Sequence, residues 1–325
     1  MSRKISTSAA INEAIRIAMR TDPDVILMGE DVAGGGELGE GLEEVGGVMG
    51  ITKGIVTEFG RERVLDTPIA ETGLLGTAVG AAATGLRPIA ELMFVDFLGV
   101  CLDPLLNQAA KLRYMFGGKI RVPLTVRTVT GAGMQSAAQH SQSLYWITAG
   151  IPGLKTVIPS NAADAKGLLL AAIRDDNPVI FCEPKLVLFD VCEVPEGDYE
   201  IPIGKANVVR EGSDVSLVGM GATVKIALEA AELLQAEGTS AEVLDLRSLA
   251  PLDEEAILAT LEKTGSLVVV DESTPRCGIA SDVAALCVER GFDFLNTPVR
   301  RVTAPHTPVP FSGVLEKAFV PSRER

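Results

Sequence analysis

Three polar residues stand in apolar or glycine-rich settings where chemistry could take place: Glu71 in TPIAETG, Asp96 in MFVDF and His140 in GAGMQSAAQHSQS. Carboxylates and imidazoles are the usual general acids and bases of enzymes. Glu71 precedes the small, apolar segment LLGTAVGAAATGL, and a carboxylate buried there would need a hydrogen-bonding partner. No donor is evident nearby in the sequence, so the partner of Glu71 must come from elsewhere.

His140 follows the predicted strand VPLTVRTV, in a segment rich in small residues. In a parallel α/β sheet, ligands bind in the crevice outside the carboxyl ends of the strands, where this segment would lie. A hydrogen-bonded structural histidine in a loop is an equally good interpretation of His140 taken alone. Together with Glu71 and the glycine-rich segment that precedes it, His140 is better explained as part of a shared site.

Helix-like and strand-like segments alternate along the whole chain. The spacing of apolar residues predicts a helix at 11–20, a strand at 25–28 and a helix in LDPLLNQAAKLRYMF that ends at Gly117 and Gly118. DAKGLLLAAIRDDN is predicted to be helical and PVIFCEP to be a buried strand. Such alternation is typical of a mostly parallel sheet with helices on both faces.

The chain is predicted to contain two domains, for which its 325 residues are sufficient. Prolines, glycines and acidic residues interrupt the alternation at 190–205, and a second alternation then begins with DVSLVGMG and ATVKIALEAAELLQAEG. We therefore expect an α/β fold of two doubly wound domains, 1–190 and 205–325, joined by a linker at 191–204.

Two segments partly match the glycine pattern of dinucleotide-binding sites. Residues 34–39 fit G-x-G-x-x-G, but the many carboxylates around them would repel a pyrophosphate, which favours a surface or lid loop. Gly219 and Gly221 end a predicted strand, and Asp245 follows at the spacing of a ribose-binding acid, but Val224 replaces the third glycine. A βαβ unit with a tight turn is the preferred interpretation, and neither match supports a nicotinamide site.

Composition argues against several classes of protein. A net charge of −14 disfavours a nucleic-acid partner, which requires a basic surface. The longest uncharged apolar segment, 72–86, is too short and glycine-rich to cross a membrane, and the N-terminus lacks the apolar region of a secretory signal. The five scattered cysteines and two histidines support neither a disulfide framework nor a zinc site. We expect a cytoplasmic protein with reduced thiols.

The chain resembles a known family in several long, ordered motifs. RVLDTPIAETG, ELMFVDF, NQAAKLRYMFGGK, AAQHSQS, PGLKTVIPS and EVLDLRSLAPLD look like the β subunit of thiamine-diphosphate-dependent 2-oxoacid and acetoin dehydrogenase complexes. RTVTGAG, FCEPK, DESTPRC and VTAPHTPVPFS look most similar to the acetoin-cleaving branch, and pyruvate and branched-chain 2-oxoacid enzymes remain as alternatives. The resemblance implies a thiamine-diphosphate pyrimidine-binding domain followed by a transketolase C-terminal-like domain.

The resemblance also implies roles for individual residues. Glu71 would hydrogen-bond N1′ of the cofactor's aminopyrimidine ring and so promote loss of the proton from thiazolium C2. Phe97 would stack on the aminopyrimidine, and His140 would face the substrate as a proton donor or an orienting group. An apolar setting strengthens a charge-assisted hydrogen bond, so the missing partner of Glu71 would be a ligand.

A possible cation site is implied in the same way. Leu124, Ala172, Asp175 and Asn177 resemble a monovalent-cation site of several relatives, in which backbone oxygens would bind potassium. The alternative interpretation is an ordinary helix C-terminus at RDDNP.

The chain departs from the thiamine-enzyme pattern at two points. It has no Gly-Asp-Gly segment, which holds magnesium and the diphosphate in such enzymes. The resemblance therefore implies an α subunit that supplies the Mg²⁺ and diphosphate half, in an α2β2 heterotetramer. Gly150 stands near a position where many relatives have a histidine before PGLK, so His140 or the partner would take over any acid-base work of that histidine.

The resemblance assigns a different task to residues 205–325. This part of the relatives mediates dimer contacts and docks a dihydrolipoamide acyltransferase core, whose lipoyl-lysine accepts the acyl group. A non-catalytic scaffold subunit that only docks this core is therefore a further alternative.

Overall fold

The computed structural model describes residues 2–34 and 45–325, so the glycine-rich match at 34–39 lies, beyond Gly34, outside the described residues. The helices are α1 (Thr7–Thr21), α2 (Ile55–Phe59), α3 (Glu71–Ala83), α4 (Leu98–Asp103), α5 (Ala110–Met115), α6 (Tyr145–Ala149), α7 (Ala162–Arg174), α8 (Ala222–Ala236), α9 (Glu254–Thr264), α10 (Ile279–Arg290) and α11 (Gly313–Phe319). Within the described ranges, every helix is too short or too polar to span a lipid bilayer.

The strands form three sheets in the part of the chain that is described. They are β1 (Ser2–Ser6), β2 (Val25–Gly29), β3 (Val64–Asp66), β4 (Arg87–Phe94), β5 (Thr125–Thr130), β6 (Lys155–Val157), β7 (Val179–Pro184), β8 (Val191–Pro195), β9 (Asn207–Arg210), β10 (Val215–Gly219), β11 (Ala241–Asp245), β12 (Ser248–Ala250), β13 (Leu267–Asp271) and β14 (Arg300–Thr303).

The largest sheet has the strand order β12-β6-β7-β5-β4-β2-β3. Its neighbouring strands pair in parallel, except that β12, from the later half of the chain, runs antiparallel to β6. Parallel neighbours need crossover connections, and α7 makes such a crossover from β6 to β7. The mostly parallel sheet that the helix–strand alternation predicts is confirmed.

Both faces of this sheet are covered by helices. Successive strand residues point to opposite faces. Ile26 and Met28 of β2 therefore pack in one cluster with Leu75 of α3, whereas Val25 and Leu27 pack in another with α1 and α7. Because both faces are buried, the sequence of β2, VILMG, is apolar throughout rather than alternating.

The second α/β sheet repeats this design. Its strand order is β14-β13-β10-β11-β9, with parallel pairs except for the antiparallel β9. Leu217 of β10 packs with Val224 of α8 on one face, and Val218 packs with Ile257 of α9 and Val283 of α10 on the other. Two doubly wound α/β units are thus present, which confirms the predicted fold class.

The predicted linker at 191–204 begins with a strand. β8 pairs antiparallel with β1, with Ser2 opposite Pro195. Local composition cannot reveal this pairing, because the partner strand lies at the other end of the first α/β unit. The division of the chain into domains at 190 and 205 remains a prediction.

Polar contacts join the two α/β units. Asp245, at the end of β11, is fully buried and accepts hydrogen bonds from the Ser160 hydroxyl and from the Arg247 backbone N–H (3.0 Å). Burial raises the pKa of Asp245 to about 7. Arg247 donates in turn to the Asp164 carboxylate at 2.7 Å. The acid at the spacing of a ribose-binding residue is therefore used in packing, as expected of a plain βαβ unit.

Candidate active site

Three of the sequence-predicted site residues, Glu71, Phe97 and His140, lie at one edge of the largest sheet. Glu71 follows β3, Phe97 follows β4 and His140 follows β5, and a further acid, Glu30, follows β2. These strands are adjacent in the order β5-β4-β2-β3 and run in parallel, so their carboxyl ends lie at the same edge. Ligands of parallel α/β sheets bind in the crevice at this edge.

Glu71 is the first residue of α3 and follows Ala70, whose φ and ψ angles of −156° and 72° are not helical. No side chain caps this end of the helix, so its unpaired backbone N–H groups favour a negative charge there. The Glu71 side chain is half-buried, and within residues 2–34 and 45–325 its carboxylate accepts no hydrogen bond. A carboxylate in this situation is available to a ligand.

A second acid, Glu30, lies beside Glu71 and was not predicted from the sequence. Glu30 is 6% exposed, and burial raises its pKa, with further contributions from the charges of Glu71, Asp31 and Glu91. Glu30 therefore takes up a proton more readily than an ordinary carboxyl group. The only signal in the sequence is an acid directly after a buried strand.

Phe97 and His140 are in direct contact. Their ring centroids are 5.4 Å apart at an interplanar angle of 86°, and the ring of Phe94 lies 4.9 Å from the imidazole in a similar edge-on arrangement. In the described part of the chain, the imidazole nitrogens make no hydrogen bond. The aromatic side chains thus fix the imidazole by packing and leave its nitrogens free for a substrate.

Cys101 is hydrogen-bonded to Phe97 and lies close enough to Glu71 to be affected by its charge. The Cys101 thiol donates a hydrogen bond to the carbonyl oxygen of Phe97 at 3.3 Å. Burial, with a contribution from the charge of Glu71, raises the pKa of this thiol to about 12. The Thr72 hydroxyl also donates to the carbonyl oxygen of Val100 at 2.7 Å, which joins α3 to α4. The carboxylate and the aromatic ring therefore belong to one packed unit.

Asp96 holds the segment that carries His140. Its Oδ1 accepts hydrogen bonds from the backbone N–H of Gln142 (3.2 Å) and from the Gln142 side-chain amide (2.8 Å). Its Oδ2 is buried and has no hydrogen-bond partner among the described residues. Asp96, which the sequence singles out as a polar residue in an apolar strand end, thus supports the position of His140.

The four residues of the predicted cation site lie together, but the two polar side chains among them already have partners. Asp175 pairs with Lys155 and accepts hydrogen bonds from the backbone and side-chain N–H groups of Asn177. The Asn177 side-chain oxygen accepts from Arg113 at 2.6 Å. The carbonyl oxygens of the other two residues accept one backbone hydrogen bond each: Leu124 from Val179 and Ala172 from Asp175.

Comparison with known proteins defines the class of this fold. The family models for "Transketolase, pyrimidine binding domain" and "Transketolase, C-terminal domain" match residues 3–189 and 204–325. Among solved structures, the chain is similar to a split gene transketolase (an inactive β4 tetramer), with a TM-score of 0.78 and 24% identity over 98% of this chain and 95% of that one. A transketolase from Campylobacter jejuni has a TM-score of 0.68 and 14% identity over 99% of this chain and 46% of that one. The protein is of the transketolase-like class.

Relatives of similar length narrow this class to a family. The chain is 60% identical to the acetoin:2,6-dichlorophenolindophenol oxidoreductase subunit beta of Bacillus subtilis, over 100% of this chain and 96% of the relative. The chain is 53% identical to the protein of that name from Cupriavidus necator, over 99% of this chain and 95% of the relative. Identity to the pyruvate dehydrogenase E1 component subunit beta of Rickettsia bellii is 42%, over 98% and 95%.

The chain belongs to the family of β subunits of thiamine-diphosphate-dependent acetoin and 2-oxoacid dehydrogenases. It is therefore a subunit of an oxidoreductase, and a partner α subunit is implied.

Proposed function

We propose that this chain is the β subunit of an acetoin-cleaving dehydrogenase and that it binds the aminopyrimidine half of thiamine diphosphate. The observation that carries the proposal is the half-buried carboxylate of Glu71, which lacks a hydrogen-bond donor among the described residues and lies beside Glu30. Leaving such a carboxylate without a hydrogen-bond donor costs free energy, and a protonated ring nitrogen of a bound ligand would provide the donor.

The other described residues of the site fit this ligand. When bound, thiamine diphosphate supplies a nucleophilic carbon for cleavage of a C–C bond next to a carbonyl group. Glu71 would accept a charge-assisted hydrogen bond from protonated N1′, and such a bond is stronger where water is excluded. The half-buried ring of Phe97 offers an apolar surface to the aminopyrimidine. The imidazole of His140 orients the substrate or donates a proton to it.

The proposal assigns the rest of the cofactor site to another polypeptide. Because this chain contains no Gly-Asp-Gly segment, an α subunit would hold Mg²⁺ and the diphosphate, in an α2β2 heterotetramer. Residues 1–190 would be the pyrimidine-binding domain, and residues 205–325, after the linker at 191–204, would dock a dihydrolipoamide acyltransferase core whose lipoyl-lysine accepts the acyl group. The complex would be cytoplasmic.

The substrate proposed for this enzyme is acetoin. Support comes from the 60% and 53% identity to two subunits named for acetoin, compared with 42% to a pyruvate dehydrogenase β subunit and 43% to a 2-oxoisovalerate dehydrogenase β subunit from Bacillus subtilis. Pyruvate and branched-chain 2-oxoacids are the alternative substrates.

Substrate profiling tests this assignment. We expect the complex reconstituted with its α subunit to turn over acetoin with a kcat/KM at least about tenfold above that for pyruvate or 2-oxoisovalerate, since differences in a small apolar pocket are worth roughly that much. Reduction of 2,6-dichlorophenolindophenol provides the assay, and the α subunit alone provides the blank. Turnover of pyruvate without turnover of acetoin would reject acetoin as the substrate.

We propose that potassium binds at Leu124, Ala172, Asp175 and Asn177. The ion would use mainly backbone oxygens, because the side chains of Asp175 and Asn177 are already paired. A carbonyl oxygen that accepts one hydrogen bond keeps a second lone pair for a cation. A bound ion stabilises the folded state by mass action, so the melting temperature should be higher in KCl than in NaCl at equal ionic strength. Equal melting temperatures would argue against the site.

A further inference from the structure

The segment that carries His140 has a strained backbone. Residues 131–144, which we call the His140 loop, connect β5 to α6. Gln135 and Ala137 have φ angles of 52° and 58°, in the left-handed region that residues with side chains rarely adopt. Strain of this kind persists only where the surrounding structure holds the backbone in place. The contacts of the loop therefore determine where the imidazole lies.

A buried lysine contacts the loop at His140 itself. Lys185 follows β7, the neighbour of β5, and is 2% exposed. Its Nζ donates a hydrogen bond to the backbone carbonyl oxygen of His140 and lies 5.0 Å from the centroid of the Phe94 ring. The Phe94 ring is also one of the two that pack against the imidazole. One ammonium group thus contacts both the backbone of His140 and a ring that packs against its side chain.

Three carboxylates compensate the buried charge of Lys185. Burial lowers the pKa of the ammonium group, and the charges of Asp96, Glu316 and Glu272 oppose this effect. Asp96 also binds Gln142 within the His140 loop. At least one of the carboxylates that favour the charged form of Lys185 therefore also contacts the loop.

The other two carboxylates fasten the start of the loop to the second α/β unit. Glu272 accepts a hydrogen bond from the backbone N–H of Ala132 at 2.6 Å. Glu316 accepts from the backbone N–H groups of Gly133 (2.9 Å) and Gln135 (3.0 Å). Both acids are buried. The loop is thus anchored at its start by carboxylates and at His140 by the ammonium group.

We propose that Lys185 is a positioning residue for His140: its hydrogen bond to the His140 carbonyl and its contact with Phe94 hold the imidazole where it meets the substrate. The inference rests on the proposed function, because it takes His140 as the group that faces the substrate. Lys185 contacts the Phe94 ring and the backbone of His140, and it acts through His140.

The test is the substitution Lys185→Met in the complex reconstituted with the α subunit. Methionine keeps the length and the apolar part of the side chain but cannot donate the hydrogen bond. We expect kcat to fall by about 10- to 100-fold, because a displacement of about 1 Å at a reacting group has effects of this size. The KM for substrate should stay within about twofold, and Lys185→Arg, which restores a donor, should recover most of kcat.

Lys166→Met is the matched control. Lys166 is also a fully buried lysine whose Nζ donates to a backbone carbonyl oxygen, that of Pro195 at 2.9 Å, and lies 5.0 Å from an aromatic centroid, that of Tyr199. It lies on α7, and its contacts are with residues outside the proposed site. We expect Lys166→Met to lower stability and to leave kcat unchanged. An equal loss of kcat in both variants would overturn the inference.

A double-mutant cycle with His140→Asn shows whether Lys185 acts through the imidazole. If it does, Lys185→Met should have little further effect in the His140→Asn background. Losses of kcat that multiply would overturn the positioning role. If kcat is normal in Lys185→Met but reduced in His140→Asn, only the positioning role of Lys185 is overturned. If kcat is normal in His140→Asn, the proposed role of His140 is overturned as well. Lys185→Gln serves in the same cycle should the methionine variant not fold.

Discussion

Replacing Glu71 with glutamine is expected to lower kcat of the reconstituted complex by at least about 100-fold, the range typical of a lost acid–base group. Glutamine has nearly the same shape, so α3 and the packing around Cys101 should be retained. It cannot supply a negative charge to N1′, and a neutral hydrogen bond is roughly half as strong as a charge-assisted one. Steady-state kinetics measures the loss, and gel filtration and thermal unfolding check assembly and folding.

Glu254→Gln is the control for this substitution. Glu254 is likewise the first residue of a helix, α9, but lies in the second α/β unit and pairs with Arg290 at the surface. Any effect of removing a charge from a helix N-terminus appears in both variants, whereas the loss of kcat should appear only in Glu71→Gln. Near-normal activity of Glu71→Gln would favour the alternative in which this chain is a non-catalytic scaffold.

Replacing Arg127 with methionine is expected to lower the free energy of unfolding by about 3–5 kcal/mol, the usual cost of breaking a buried ion pair. Arg127 is fully buried on β5 and donates from Nη1 to Glu91 on β4 and from Nε to Glu183 on β7, each at 2.8 Å. Methionine would leave two buried carboxyl groups without a cation. Burial already raises the pKa of Glu183 to about 7, so the destabilisation should grow as the pH rises above this value.

Arg174→Met provides the comparison at the surface. Arg174 also pairs with two carboxylates, Asp198 at 2.6 Å and Glu200 at 2.7 Å, but its side chain is 34% exposed. Exposed ion pairs contribute little, so this variant should lose less than about 1 kcal/mol. Chemical unfolding at pH 6 and pH 8 measures both variants. A loss in Arg127→Met no greater than that in Arg174→Met would show that the buried triad does not stabilise the sheet.

Much of the fold could be predicted because its signals are local. The apolar run at 25–28 is β2, and the helical spacing at 11–20 lies within α1. The helix predicted in LDPLLNQAAKLRYMF is present as the end of α4, a π-helical turn at Pro104–Ala109 and α5. It ends at Met115, shortly before Gly117 and Gly118, whose φ angles of 60° and 80° suit a helix C-terminus. In each case, neighbouring residues determine the structure.

Features that depend on distant residues were not predicted. The sequence of β8 is typical of a linker, because its partner strand, β1, is far away in sequence. The strand VPLTVRTV is predicted from its sequence. No residue near Arg127 in the sequence indicates that its side chain pairs with acidic residues of two other strands. The sequence does not distinguish Glu30, because an acid after a strand is common and its burial near Glu71 follows from the order of the strands.

The candidate site is predictable from the sequence only in part. Position and residue type marked Glu71 and His140, and the parallel sheet explains why their segments meet at one edge. Their chemical roles, and that of Phe97, came from the resemblance to a family rather than from spacing. Neither the local sequence nor the resemblance predicts the contacts of Lys185 with the His140 loop, because they join residues 45 positions apart through tertiary packing.

In the proposed complex, this chain provides one half of the cofactor site and a second polypeptide provides the other. Calorimetry with thiamine diphosphate and Mg²⁺, followed by turnover assays on the same samples, tests it directly. We expect the purified chain alone to show no substrate turnover and no tight binding of thiamine diphosphate. When the α subunit is added, tight binding and turnover should both be observed. Tight binding and substrate turnover by the chain alone would contradict the claim.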